Sequence, residues 1–306
     1  MLHRPWLIPL IVSFWAVTMG WLVTAKILPS LAGGAPPGYQ ALYTSGNRIV
    51  PVAWTVLCND CPVGWAMSRA ARLPDRGLVV DSLLHFDTLP LDDLLPTWLR
   101  SIARRVLDER STLPFDARGS LSIDPRGELR AFGSVVTLPG IADRIVLNGT
   151  VVDGKVSIVI AGNGIRYEAE RHLPSTIMLG DELSPQATLP GLSIGRRWTV
   201  PMYNPLRPGP ASIEILHAHV AKEETFFWED RLVRTLVVHY RDDPSAHHEP
   251  RSTLWVDLSG RVVKQESMML GAKLSFLRRS DEAAERLVAN LDAEQSSNAV
   301  ADEETP

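Results

Sequence analysis

The chain opens with an unbroken apolar run and continues as short β-branched segments separated by turn residues. Trp6 to Thr24 reads WLIPLIVSFWAVTMGWLVT without a charge. About 20 such residues, rising ~1.5 Å each, cross the ~30 Å hydrocarbon core, so the run predicts a transmembrane helix over 6–24. Trp6 and Trp21 sit near its ends, where amphipathic rings prefer the headgroup level, and Arg4 and Lys26 flank it. Because the flanking charges are balanced, orientation follows from bulk. Residues 1–5 are expected in the cytoplasm and the rest of the chain outside, on a single-pass protein of the inner membrane with its bulk in the periplasm. The alternative is a cleaved signal peptide, cut after Ala32 or Ala35, which leaves a periplasmic or secreted domain.

From Tyr39 onward strand signals dominate. Asp124-Pro125-Arg126-Gly127 and Asp257-Leu258-Ser259-Gly260 each carry the type I turn preferences, between LSID and ELRAFGSVV and between LWVD and RVVKQESMM. Glu229-Asp230 reads as a two-residue loop joining SIEILHAHVAKEETFFW to RLVRTLVVHY, a register that places Phe226 opposite Val233 and His239 opposite Val220. The repeated Asp-x-x-Gly frame is compatible with two similar halves, 39–181 and 189–280.

Helical periodicity occurs in two places. Asp92 to Asp108 sets Leu95, Trp98, Leu99, Ile102 and Val106 on one face with arginines on the other. Asp281 onward follows the N-cap Ser280 with acids in its first turn. The expected fold is therefore mainly β, a strongly twisted antiparallel sheet or open half-barrel spanning 39–292. It follows a linker over 25–38, carries one inserted amphipathic helix and one C-terminal helix, and ends in a disordered acidic tail over 293–306.

Composition changes this picture little: a net charge of −4 gives no reason to expect nucleic acid as a partner. The two cysteines form Cys58-Asn59-Asp60-Cys61 between strand-like segments. They flank a hairpin loop compatible with a disulfide, whereas a redox-active C-x-x-C sits at a helix N-terminus. The same loop makes Trp54 and Trp65 cross-strand neighbours. His217 and His219 project from one face of a strand and are weak metal candidates, since His239 is expected to face the other way and no third ligand is in view. No serine elbow, phosphate-cradling glycine loop or HExxH motif is present, so no catalytic residue and no cofactor is assigned.

The segments GRRWTVPMYNPLRP (195–208), STLWVDLSGRVVKQES (252–267) and LSFLRRSDEAA (274–284) resemble an uncharacterised family of bacterial envelope proteins, sometimes attached to transglutaminase-like domains. The resemblance implies an open β half-barrel similar to periplasmic lipoprotein carriers and carries no catalytic residues. The expected function is a membrane-tethered, non-catalytic module that binds an apolar ligand or an envelope protein partner. Trp54, Trp65, Trp198, Phe226, Phe227, Trp228 and Trp255 are candidate lining or core residues. The alternative is an enzyme, either a thiol-disulfide oxidoreductase through Cys58 and Cys61 or a hydrolase with carboxylates assembled by the fold.

Overall fold

The computed structural model describes residues 6–24, 36–39, 51–90, 112–137, 144–162, 164–174, 177–179, 184–203, 213–245, 248–269 and 272–303. Helix α1 (Leu7–Leu22) precedes strands β1 (Val52–Cys58), β2 (Cys61–Arg72), β3 (Leu78–Pro90), β4 (Thr112–Ile123), β5 (Leu129–Thr137), β6 (Ile145–Val152), β7 (Lys155–Gly162) and β8 (Ile165–His172). There follow β9 (Met178–Leu179), β10 (Arg197–Tyr203), β11 (Ile213–Trp228), β12 (Arg231–Arg241), β13 (Ser252–Asp257), β14 (Val262–Met269), β15 (Ala272–Arg278) and helix α2 (Asp281–Glu303). The expected helix over Asp92 to Asp108 lies outside the described residues.

The 15 strands of the described residues form one large twisted open sheet in the order β8 to β1, then β15 to β9. The chain starts at the centre with β1, meanders outward to β8, crosses to the far edge at β9, and meanders back until β15 pairs with β1. Arg171 and Tyr167 of β8 act on the phenol of Tyr203 in β10, so the two ends of the sheet curl toward each other. One face therefore closes on a continuous core that runs from Trp54, Phe86 and Phe132 to Trp198, Leu254 and Phe276.

The predicted turns form as their residues dictate. In the β4–β5 turn the Asp124 carboxylate accepts the amides of Arg126 at 2.9 Å and Glu128 at 2.8 Å, and Gly127 takes the positive φ of 86° that favours glycine. The β13–β14 turn repeats this geometry around Asp257 and Gly260. At the Cys58–Cys61 and Trp228–Arg231 hairpins both loop residues have positive φ, the two-residue form whose twist matches the strands.

Two registers depart from expectation, each by one residue. Val63 is an extra residue on β2, so Trp54 pairs with Ala66 and Arg278, and Trp65 pairs with Thr55 and His85. Trp54 and Trp65 are thus on opposite faces and are not neighbours. Ala221 is an extra residue on β11, so His239 pairs with His219 and not with Val220. A bulge of this kind bends a strand and re-aims every side chain beyond it, which the curl of a wide sheet requires.

The two helices also differ from expectation. Helix α1 has 16 residues, about 24 Å at the usual rise, and among the described residues no helix is long and apolar enough to cross a membrane. Helix α2 is capped by Ser280, whose hydroxyl accepts the Ala283 amide at 3.1 Å, and it runs on to Glu303 through the region expected as a disordered tail. The segment after Leu291 holds three Ala and two Glu and reaches Glu303 without Gly or Pro, so nothing in it stops a helix.

Candidate functional site

The candidate lining or core residues divide between the faces. Trp54 and Trp198 are buried in the core; Trp65 and Trp255 are half-buried on the opposite face; on β11, Trp228 is buried and Phe226 half-buried on one side, and Phe227 is exposed on the other. The core face of β12–β14 is covered by the chain's own crossing between β9 and β10. There the Leu189 amide donates to Gly260 O at 2.7 Å, the Gln186 amide to Gln265 at 3.0 Å, and Arg278 Nη1 to Ala187 O at 2.9 Å. A concave lining of tryptophans is therefore replaced by a packed core. Arg278 is buried within it, and burial pulls its guanidinium below the ordinary arginine range despite Asp281 at 3.4 Å.

The opposite face carries the chemistry. Reading across the sheet, Arg197 of β10 lies opposite His219 of β11, which lies opposite His239 of β12, followed by Thr253 of β13 and Glu266 of β14. One step along, Thr199, His217 and Arg241 form the next row. Burial lowers the pKa of both His219 and His239, and the charges acting on them, Arg197 and Arg241 on the first and Arg241, His219 and Lys222 on the second, lower it further. Among the described residues no group of three or more His, Cys, Asp or Glu side chains is placed to hold a metal ion. The guanidinium groups beside His217 and His219 repel a cation.

On the other arm, His85 of β3 stacks on Trp65 with ring centroids 5.4 Å apart. Its Nδ1 meets Asp116 Oδ1 at 2.6 Å and its Nε2 meets Asp87 Oδ1 at 3.2 Å. Burial disfavours the charged imidazole, but the bonds and charges of Asp116 and Asp87 outweigh it and raise the pKa above 6.5. In its charged form both ring nitrogens donate to carboxylates, which leaves the His85 imidazolium no lone pair for a base or a metal ligand. Its stabilising contribution is complete below the unfolded pKa of 6.5 and is lost as pH rises through the higher folded value. Asp116→Asn is expected to lower the His85 pKa in an NMR titration and to flatten the pH dependence of thermal stability above pH 6.5; an unchanged titration would refute the pairing.

Cys58 and Cys61 stand opposite each other, one buried and one exposed, on a turn held to β15 by the Asn59 amide bond to Lys273 O at 2.9 Å. Strand β2 follows at once, so the thiols lack the helix N-terminus that activates redox pairs. The sequence reading missed His85 with its carboxylates, and the Arg197, His239 and Arg241 cluster. Their partners come from separate strands, and only a register correct to the residue brings them together.

The chain matches no family model and no curated protein sequence, so the resemblance to accessory domains of envelope proteins rests on its motifs alone. Among solved structures it is similar to a β-barrel-like protein of a domain of unknown function, DUF1849, from Brucella abortus. That chain is 10% identical with a TM-score of 0.44, over 76% of this chain and 97% of that one. A DUF1089 family protein from Pseudomonas aeruginosa is 17% identical with a TM-score of 0.33, over 65% of this chain and 87% of that one.

Proposed function

We propose that the chain is a non-catalytic envelope module, held at a membrane by its N-terminal apolar segment and binding a protein partner through the folded sheet. The observation that carries the reading is α1: its apolar side chains project into solvent, with Phe14 and Val17 each 72% exposed, and the segment carries no charge. A helix apolar on every side finds a favourable environment in lipid. A protein partner is favoured over an apolar ligand because the core face is already packed. The β11–β12 hairpin extends past the end of β13, where Asp257 pairs with Thr235, and carries the cross-strand pair Phe227 and Leu232, 62% and 73% exposed, below an acidic tip of Glu229 and Asp230. Apolar side chains ringed by charge suit a protein surface better than an anionic bilayer.

Produced in a bacterial host, the full chain should remain in the membrane fraction after alkaline carbonate washing, and protease added to spheroplasts should degrade its sheet. A photo-crosslinking side chain at position 227 should give one discrete protein adduct that the same group at position 194 does not. Recovery of the full chain in the soluble fraction would overturn the tether; the absence of an adduct specific to position 227 would overturn the binding surface.

A further inference from the structure

Strand β11 runs past its neighbour β10. Their pairing ends where His219 stands opposite Arg197, and Val220 is bonded by the chain leading into β10, its carbonyl accepting the Gly195 amide at 2.9 Å and its amide donating to Arg196 O at 3.0 Å. Beyond that point, among the described residues, nothing pairs with this edge of β11 from Lys222 to Trp228, while β12 continues along the other edge as far as Arg231. The hairpin decides which backbone groups are left open. Trp228 and Arg231 close a two-residue loop and so exchange both backbone bonds. The alternation of an antiparallel ladder then turns the N–H and C=O groups of Glu223, Thr225 and Phe227 away from β12, and all of these residues are exposed.

Open strand edges are templates for pairing, and proteins blunt them with charge, proline or a bulge. This edge is hardly blunted. Lys222 holds Glu224 at 2.8 Å and Arg234 holds Glu223 at 2.6 Å, so the charges are matched within the hairpin itself. No proline interrupts the stretch, and the extra residue Ala221 precedes it.

We propose that this edge pairs antiparallel with the same edge of a second copy of the chain, about a two-fold axis at Thr225. The inference rests on the reading that the hairpin binds a protein, and it identifies that protein. With Thr225 on the axis, Glu223 of each copy faces Phe227 of the other, Glu224 faces Phe226 and Lys222 faces Trp228. Every open N–H and C=O of both copies is then bonded, the threonines form a favourable cross-strand pair, and no like charges are opposed. The Glu229–Asp230 loop of each copy comes to rest beside Ala221 of the other, next to the positive charge of Arg196. Other registers do worse. An axis at Glu223 or Glu224 sets a glutamate against itself, one at Phe226 sets Glu223 against Glu229, and one at Phe227 carries the pairing into the loop. A two-fold contact of this kind closes on itself, so assembly stops at the dimer.

The test uses the full chain in non-ionic detergent micelles. A residue on a two-fold axis meets itself, and the ~5.5 Å between Cα atoms of a hydrogen-bonded pair is within reach of a disulfide. Treated with diamide, Thr225→Cys should form a reducible dimer well above the background set by the wild type with its own cysteines. Glu223→Cys and Phe227→Cys should not dimerise alone but should cross-link when mixed. Thr225→Lys and Thr225→Glu should each sediment as monomers and form a dimer together, because opposed like charges become an opposite pair. The photo-adduct at position 227 should have twice the mass of the chain. No cross-link at position 225 above background, or dimers shared equally by every variant, as association through α1 alone would give, would overturn the proposal. An adduct at position 227 with a different protein would also overturn it and leave the partner-binding reading standing.

Discussion

Replacing Trp54 with alanine is expected to cost about 3 to 5 kcal/mol, the range for removing a buried large aromatic side chain, and to leave little folded chain at 37 °C. Trp54 is fully buried on β1, where the two arms of the sheet meet, between Ala66 of β2 and Arg278 of β15. The cavity would open at the seam. Arg278 would also lose the ring that lies 6.0 Å from its guanidinium. Trp54→Phe provides the contrast: the indole Nε1 is buried without a hydrogen-bond partner, so losing the N–H removes no bond and the cost should be well under half. Urea unfolding of the two variants measures the difference, and equal losses would show that Trp54 is not part of the seam.

Asp257→Ala is expected to cost about 2 to 4 kcal/mol, whereas Asp124→Ala, in the same turn frame, should cost under about 1 kcal/mol. The Asp257 carboxylate is buried and accepts from the Ser259 amide and hydroxyl, at 2.9 and 2.6 Å, and from the Arg261 amide and Nε, both at 2.9 Å. Asp124 accepts two amides in the open, where water replaces the lost acceptor. Burial pushes the Asp257 pKa up, but the Ser259 and Arg261 bonds outweigh it and hold it below the usual carboxylate range. Its contribution is therefore present above the unfolded pKa of 3.8 and is lost as pH falls through the lower folded value. A denaturation series from pH 7 to pH 2 should show the wild type losing stability at the acid end and Asp257→Ala losing less; parallel curves would contradict the assignment.

The turns were legible because they are local. Asp at the first position, Gly at the fourth, and two-residue loops of Asn-Asp and Glu-Asp each specify a backbone conformation within four residues, and the structure forms all four. The mainly β class, the capped start of α2 and the strands flanking the cysteines follow from the same short-range rules. The exposed apolar run at the N-terminus needed only composition.

The faces were not legible. Val63 and Ala221 carry no sequence mark of a bulge, and each moves the register by one residue, which in a strand exchanges inside for outside. Trp54 goes to the core seam and Trp65 to His85 for that reason, and His239 comes to stand opposite His219. What places a bulge is the curvature that lets one wide sheet close over a single core, a property of 15 strands together and not of any segment. The sequence by itself determined where the chain turns and that an uncharged apolar segment leads it. Only the tertiary structure decided which side chains meet, because side-chain alternation has a period of two and the count of residues between partners is fixed by packing.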